Sequence, residues 1–173
     1  FHSFCSYAVP TSCIVCEQFQ QSTVCKKCKQ VLMNQALCHY ECCYQCGIPL
    51  TSPELIHQRC NSCLFRAPHF DQTTCLDRYE GSLQNALHQL KYHQRFEIGE
   101  MLGELFAQAL VHSGRFDAIN MIIPVPLHPE RAKFRGYNQS AVIANSMASI
   151  LKIPVANKLL LRKINTESQT KKN

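Results

Sequence analysis

The sequence predicts an α/β protein built in two parts. A cysteine-rich module is expected over residues 1–66, and a Rossmann-like βαβ domain is expected over residues 67–173. Eleven of the twelve cysteines precede Leu64, whereas the later residues show apolar positions at helical spacing. The run from Ala118 to Val125 is short and apolar, which is typical of a parallel strand buried on both faces. An apolar content of 46% is sufficient for a core.

The cysteines of the first part form four Cys-x2-Cys pairs in two successive sets. Eight residues separate the two pairs of the first set, and thirteen separate those of the second. Such short pairs chelate a metal more readily than they form a disulfide, and four thiolates are the usual ligands of structural zinc. A closed four-thiolate shell leaves no open position for catalysis. Two structural zinc ions are therefore predicted on Cys13, Cys16, Cys25, Cys28, Cys43, Cys46, Cys60 and Cys63.

Several assignments in this module stay open at the level of sequence. Each Cys-x2-Cys pair is termed a knuckle. Four sulfurs per metal result whether successive knuckles share a metal or alternate knuckles do. Cys42 adjoins Cys43 and can replace it as a ligand. Further candidate ligands near the second set are Cys38, His39 and His57. Cys5 and Cys75 are expected to be ordinary buried thiols. A disulfide scaffold or a thiol redox centre is the alternative to zinc.

The second part contains two amphipathic helices followed by a βαβ unit. Leu83, Leu87 and Leu90 mark the first helix. The second helix, which Ser113 and Gly114 end, has the stripe Ile98, Met101, Leu102, Leu105, Phe106 and Ala109. A strand over 118–125, a loop over 126–136, a helix over 138–151 and a strand over 155–161 follow. Such a unit is right-handed, and its ligand crevice lies beyond the carboxyl ends of the strands.

Positive charge is concentrated in this second part. The chain carries 18 Lys and Arg against 12 Asp and Glu, and the net charge is +6. From Met121 onward there are nine basic residues and two acidic ones. Arg131, Lys133 and Arg135 lie just after the predicted strand and before a helix start, where backbone amides favour anions. A pyrophosphate is expected there, with a solvated basic turn as the alternative.

Several motifs, in order, resemble the pattern of the ComF family. They are Cys13 to Cys28, Cys46-Gly47, Cys60 to Cys63, Tyr79 to Leu83, His88 to Arg95, Ile123 to Gln139 and Thr166 to Thr170. The resemblance implies a zinc-ribbon module in front of a type I phosphoribosyltransferase-like domain. It also implies that family members continue into an acidic and Thr/Gly-rich loop for phosphoribosyl pyrophosphate (PRPP). This chain stops before that loop, so we expect a C-terminally incomplete domain that is inactive alone.

The same resemblance assigns roles to particular residues. Arg131, Arg135 and Lys91 would act in catalysis, with Arg131 and Arg135 neutralising the leaving pyrophosphate. Thr166 to Thr170 would open a flexible loop that closes over the substrate. The other residues implied to bind PRPP or pyrophosphate are Pro124, Val125, Pro126, Leu127, His128, Lys133, Tyr92 and Arg95. Magnesium would bridge the PRPP oxygens if the domain is active.

The resemblance implies a competence protein that acts in DNA uptake, natural transformation or DNA utilisation. The alternative is a non-catalytic module that binds single-stranded DNA or a helicase-like competence partner encoded in the ComF operon. No apolar run approaches the roughly 18 residues of a membrane helix, and the first residues, Phe1 to Phe4, lack the features of a signal peptide. We therefore expect a cytoplasmic protein without membrane insertion.

Overall fold

The computed structural model describes residues 11–13, 15–16, 18–20, 22, 24–35, 41–51, 57–114, 116 and 119–166. These residues are mainly helical. Their elements are β1 (Thr11–Ser12), β2 (Phe19–Gln20), α1 (Lys26–Gln35), α2 (Asn61–Phe65), α3 (Gly81–Tyr92), α4 (Phe96–Ser113), α5 (Pro129–Arg135) and α6 (Gln139–Leu151). The chain forms two compact units: Phe1–Ala86 with Leu105–Ala118, and Leu87–Glu104 with Ile119–Asn173.

The first unit begins with a small antiparallel ribbon. β1 pairs with β2, with Thr11 opposite Gln20 and Ser12 opposite Phe19. Helix α1 follows, and it buries Cys28 and Leu32, which lie four residues apart on one face. Helix α1 was not predicted from the sequence, because only this pair of positions carries its helical periodicity.

Gln45 links two segments of the first unit. It is only 6% exposed, and its side-chain nitrogen donates to the carbonyl oxygens of Pro68 (3.4 Å) and Phe70 (3.2 Å). The Thr73 N–H donates in turn to the Gln45 carbonyl at 2.7 Å. Residues 68–73 are thereby held against the segment that contains the second set of cysteines.

The two predicted amphipathic helices are present as α3 and α4. Leu83 and Leu90 are buried on α3, and Leu87 is half-buried. On α4, Ile98 and Leu105 are fully buried. Helix α4 ends at Ser113, and Gly114 follows with a φ of +64°, a conformation that glycine adopts without strain. The predicted apolar stripes are therefore confirmed as core positions.

Helices α4 and α6 approach closely within the second unit. A Cβ atom added to Gly103 would lie 2.5 Å from the Ile143 carbonyl oxygen and 2.6 Å from the Ser146 Cβ. The Ser146 hydroxyl donates to the Glu100 carbonyl across the same crossing, at 2.6 Å. A glycine on α4 therefore permits backbone contact that no larger residue would allow.

The strand predicted over 118–125 is wrong in extent and in burial for its described part. Within 119–125 only Ile122 forms a bridge, and its partner is Val155, in parallel orientation. The exposed side chains, at 39–65%, are Ile119, Met121, Ile123 and Val125. Alternate side chains of a strand point to the same face, so these four share one face of the extended segment, and that face is exposed.

The strand predicted over 155–161 is likewise reduced to the bridge at Val155. A turn follows, and Leu159, Leu160 and Leu161 are at least half exposed. Asn157 and Lys158, which disfavour strand, stand in this turn. Helix α6 and the parallel direction of the bridge are as predicted, but the Rossmann-like sheet is not confirmed.

The loop predicted over 126–136 contains helix α5. His128 caps its start, with Nδ1 accepting from the Glu130 N–H at 3.4 Å, and Pro129 occupies the first helical position. Gly136, with a φ of +79°, ends the helix. Seven residues are too few to show a helical repeat in the sequence, which explains the wrong prediction. No described helix of the chain is long and apolar enough to cross a membrane.

Candidate functional site

The eight predicted metal-binding cysteines lie in two clusters of four sulfur atoms. The first cluster contains Cys13, Cys16, Cys25 and Cys28, and the second contains Cys43, Cys46, Cys60 and Cys63. The four sulfurs of each cluster lie within 4.8 Å of one another. The knuckles are thus paired in sequential order along the chain, not interleaved.

The first knuckle of each cluster is closed by a backbone hydrogen bond of the same span. In the first cluster the Cys13 N–H donates to the Gln18 carbonyl at 2.8 Å, and in the second the Cys43 N–H donates to the Ile48 carbonyl at 2.7 Å. Both bonds span five residues and close a tight turn around the cysteine pair. The strands β1 and β2 flank the first turn, and a bridge between Cys42 and Pro49 flanks the second.

The second knuckle of each cluster begins a helix. Cys25 immediately precedes α1 and Cys28 lies in its first turn, with the Cys28 N–H donating to the Cys25 sulfur at 3.3 Å. Cys60 is the N-cap of α2 and Cys63 lies within that helix. Free N–H groups at a helix start favour negative charge, which suits thiolate ligands.

The thiol pKa values differ within each cluster. Burial opposes ionisation of Cys13, but backbone N–H groups of Cys25, Cys16 and Val15 stabilise its thiolate and lower its pKa to about 6. The pKa of Cys43 is also lowered to about 6, against burial, by the N–H groups of Cys46, Cys60 and Gln45.

Other cysteines of the same clusters have raised thiol pKa values. Burial and the neighbouring cysteines raise the pKa of Cys28, and they raise that of Cys63 to about 12. Burial also raises the pKa of Cys46. Four thiolates repel one another unless a cation neutralises them, so each cluster retains protons until a metal ion binds.

The structure separates the ligands from the other candidates. Cys42 is buried but lies outside the second cluster, which contains Cys43 instead. His57 is exposed and belongs to neither cluster, and Cys75 is half-buried instead of buried as expected. No disulfide joins the ten described cysteines. Cys5, Cys38 and His39 lie outside the described residues.

The sulfur positions fit a tetrahedral metal ion. Zinc–sulfur bonds of about 2.3 Å in a tetrahedron place the sulfurs roughly 3.8 Å apart. The separation is 3.9 Å between Cys16 Sγ and Cys25 Sγ, and 3.6 Å between Cys46 Sγ and Cys60 Sγ. Both clusters could therefore bind a metal ion such as zinc.

The residues predicted to bind pyrophosphate lie around helix α5. Arg131 and Arg135 are four residues apart and share one face of the helix. The Arg131 guanidinium donates to the Thr166 carbonyl, and that of Arg135 lies 5.4 Å from the centre of the Tyr92 ring. Lys133 is exposed. The structure thus brings together Arg135 and Tyr92, which are 43 positions apart in the sequence.

The turn before α5 is tied to helix α6. The Asn138 side chain donates to the Val125 carbonyl at 3.1 Å and also caps α6 by accepting from the Ser140 N–H at 3.0 Å. Pro124 is buried, whereas Pro126, Leu127 and His128 are half-buried. Asn138 was not predicted as the N-cap of α6, although an Asn before an apolar helical stretch is a typical N-cap.

The remaining predicted residues lie at the end of α3, just after it, and after α6. Lys91 and Tyr92 end α3, and Arg95 lies in the connection between α3 and α4. Of the predicted flexible loop, only Thr166 is described; its hydroxyl accepts from Arg162 at 2.5 Å. Asn165 donates to the Glu130 carboxylate at 2.6 Å, so residues 162–166 contact α5.

Sequence comparison identifies related proteins in several bacteria. The protein named DNA utilization protein YhgH from Shigella flexneri is 32% identical over 109 residues, which are 61% of this chain and 47% of that protein. Its namesake from Salmonella typhimurium is 28% identical over 146 residues, or 81% of this chain and 61% of that protein. The chain spans about half the length of the first of these relatives.

A third relative covers more of the chain. The protein named Competence protein F from Haemophilus influenzae is 26% identical over 163 residues, which are 91% of this chain and 68% of that protein. No family model matches the chain, and no solved structure matches it significantly. These homologues, together with the two four-cysteine clusters, support the resemblance to the ComF family that the motifs indicated: the chain is similar to competence and DNA-utilisation proteins.

Proposed function

We propose that this chain acts in the uptake or utilisation of DNA, with two zinc ions that stabilise its first part and an anion site on helix α5. The role in DNA handling is supported by the names of its homologues. The mode of action is supported above all by the arginine face of α5, where Arg131 and Arg135 stand one helical turn apart.

Zinc at the two clusters would be structural. Each cluster supplies four cysteine sulfurs, which is a complete tetrahedral shell, so no position is left for substrate or water. Because the ligands come from a turn and a helix start that have little apolar core between them, the metal would supply much of the folding energy of this region.

The anion site would bind the pyrophosphate group of PRPP or free pyrophosphate. Arg131 and Arg135 would each donate charge-assisted hydrogen bonds to phosphate oxygens. Arg135 is already oriented by its contact with Tyr92, so less side-chain entropy is lost when an anion binds. Arg131 would exchange its bond to the Thr166 carbonyl for a bond to the anion, so that only the bond from Asn165 to Glu130 would still join residues 162–166 to α5.

A phosphoribosyltransferase reaction at this site would depend on positioning and electrostatics. Guanidinium groups would stabilise the charge that develops on the departing pyrophosphate, and Lys91 would assist. Magnesium would bridge the PRPP oxygens and neutralise part of their charge. Binding of the anion is the first activity to test.

Calorimetry with pyrophosphate and with PRPP, in the presence of magnesium, tests the site. Arg131→Ala and Arg135→Ala should each weaken binding about ten- to a hundredfold, since each loses a charge-assisted contact of about 1.5 to 3 kcal/mol. Lys158→Ala is the matched control, because Lys158 is an exposed cation of the same unit. An equal loss in all three variants would indicate general charge attraction and contradict a site on α5.

Binding of single-stranded DNA is a second candidate function. The His88 and Tyr92 rings are in tilted contact, with centres 4.7 Å apart and an interplanar angle of 48°, and Arg135 lies over Tyr92. An exposed aromatic ring beside cations can stack on a base while the cations contact phosphates. Tyr92→Ala should then weaken binding of an oligothymidylate, and the affinity should fall steeply with salt. Binding that is insensitive to both changes would rule out this surface.

A further inference from the structure

Each cysteine cluster contains an equivalent contact between its two knuckles, but the two contacts differ in their exposure to solvent. In each cluster the last cysteine of the first knuckle meets the first cysteine of the second knuckle: Cys16 with Cys25 at 3.9 Å, and Cys46 with Cys60 at 3.6 Å. Cys16 is exposed and Cys25 half-buried, whereas Cys46 is half-buried and Cys60 buried. The sulfur pair of the first cluster is therefore more exposed to solvent than the equivalent pair of the second cluster.

A cavity also adjoins the first cluster. It has a volume of about 140 Å³, and its walls include Cys16, Cys28, Lys27 and the apolar side chains of Val31 and Leu32. Since a water molecule occupies about 30 Å³ in the liquid, this space can admit a molecule slightly larger than water. A small neutral oxidant can thus reach the cluster from the side of Cys16.

The two buried sulfurs of the first cluster are protected in a different way. Cys13 is fully buried, and backbone N–H groups donate to its sulfur, among them that of Cys25 at 3.4 Å. Cys28 lines the same cavity, but only 8% of its surface is exposed. In a metal-bound cluster all four sulfurs are thiolates, so exposure decides which of them is oxidised, and it directs oxidation to Cys16 and Cys25.

We propose that the first cluster is a modification site for peroxides, at which Cys16 and Cys25 are oxidised to a disulfide while the second cluster stays reduced. The loss of a metal that accompanies this step rests on the proposed zinc sites. Cys16 and Cys25 would leave the coordination shell together, so only Cys13 and Cys28 would remain as ligands and the zinc of the first cluster would be released.

The chemistry balances with hydrogen peroxide as the oxidant. The Cys16 thiolate attacks one peroxide oxygen, the O–O bond breaks, and a sulfenic acid forms as hydroxide leaves. The Cys25 thiolate then attacks the Cys16 sulfur, forming the S–S bond and expelling a second hydroxide. Two protons from solvent convert the hydroxides to water. The two sulfurs lose two electrons in total, and peroxide is reduced to two water molecules.

The test treats the zinc-loaded chain with hydrogen peroxide and follows both thiols and metal. Elemental analysis before the oxidant is added tests the proposed zinc sites. Peptide mass spectrometry afterwards tests the oxidation site independently, because it records which cysteines become linked. We expect the Cys16–Cys25 disulfide to form at least about tenfold faster than any disulfide of the second cluster, with release of one zinc per chain. Equal rates in the two clusters, or earlier oxidation of Cys46 and Cys60, would overturn the proposal.

Matched variants separate exposure from metal binding. Cys16→His keeps a zinc ligand but cannot form a disulfide, so the rapid release of one zinc should disappear. Cys46→His makes the same change in the second cluster and should leave that rapid release intact. Rapid zinc release from Cys16→His would contradict the assignment of Cys16. If Cys16→His binds only one zinc, the proposal is tested by the unaltered chain alone: the Cys16–Cys25 disulfide must form before any disulfide of the second cluster.

Discussion

Substitution of Gly103 by alanine should separate helices α4 and α6. The added Cβ would lie 2.5 Å from the Ile143 carbonyl oxygen, which is about 1 Å inside a normal contact distance. Its closest neighbours are the backbone of α6 and the Cβ of Ser146, neither of which can rotate away. Helix α6 must therefore shift, and the hydrogen bond from Ser146 to the Glu100 carbonyl would be lost with it.

The expected cost follows from three contributions. Overpacking of this kind costs about 1 to 3 kcal/mol, and loss of the Ser146 hydrogen bond adds about 1 kcal/mol. The higher helix propensity of alanine returns about 1 kcal/mol. The net destabilisation should be about 1 to 3 kcal/mol, and each kcal/mol lowers the Tm of a chain this size by about 2 to 4 °C.

Thermal unfolding followed by circular dichroism measures this change, and Gly99→Ala serves as its control. The Cβ added there would meet Val142 Cγ1 at 2.9 Å and Leu90 Cδ1 at 3.1 Å, both of which are ends of side chains that can rotate. The Tm of Gly99→Ala should therefore change by less than that of Gly103→Ala. If Gly103→Ala is as stable as the unaltered chain, the close crossing of α4 and α6 is refuted.

Three further predictions concern the metal clusters and the turn before α5. Removal of zinc by a chelator should raise hydrogen exchange over residues 11–35 and 41–63 while α4 stays protected; unchanged exchange in the cysteine segments would contradict a structural role for the metal. The zinc affinity, measured by competition with a metal indicator, should weaken as the pH falls because protons compete with zinc for the thiolates, and most steeply below about 6, where even the most acidic thiols, Cys13 and Cys43, are protonated in the metal-free clusters. An affinity that does not change with pH would contradict thiolate ligation. Asn138→Ala should lower the free energy of unfolding by about 1 kcal/mol because α6 loses its N-cap. Asn138→Asp should keep the cap and lose only the bond to the Val125 carbonyl. An equal Tm for the two variants would show that the cap does not contribute to stability.

The sequence predicted the cysteine clusters and the long helices well, because both depend on local spacing. Thiol pairs two residues apart leave few alternatives to chelation, and the stripe that includes Ile98 and Leu105 is long enough to show its period. Cys43 was predicted as the ligand, but the sequence left Cys42 open as its replacement, since the choice depends on which sulfur the turn directs towards its partners. Helix α5 was missed because its start and end depend on caps at His128 and Gly136.

The strands were predicted least well. An apolar run such as residues 118–125 indicates that its side chains suit a buried strand, but whether they are covered depends on neighbours elsewhere in the chain. Among the described residues, the backbone of this run pairs with another extended segment at Ile122 alone, opposite Val155. The structural role of Gln45 could not be predicted either. Its side chain donates to the backbone carbonyls of Pro68 and Phe70, which are more than twenty residues away and which any residue type would provide.

The bonds made by Gln45 have a consequence for protein engineering. A transplanted metal module that ended after the last ligand, Cys63, would contain Gln45 but not the carbonyls of Pro68 and Phe70 to which its amide donates. The graft would carry a polar side chain inside its fold without those acceptors, a defect that typically costs about 1 to 3 kcal/mol. The smallest portable version of the second cluster therefore extends to Thr73, ten residues beyond its final sulfur.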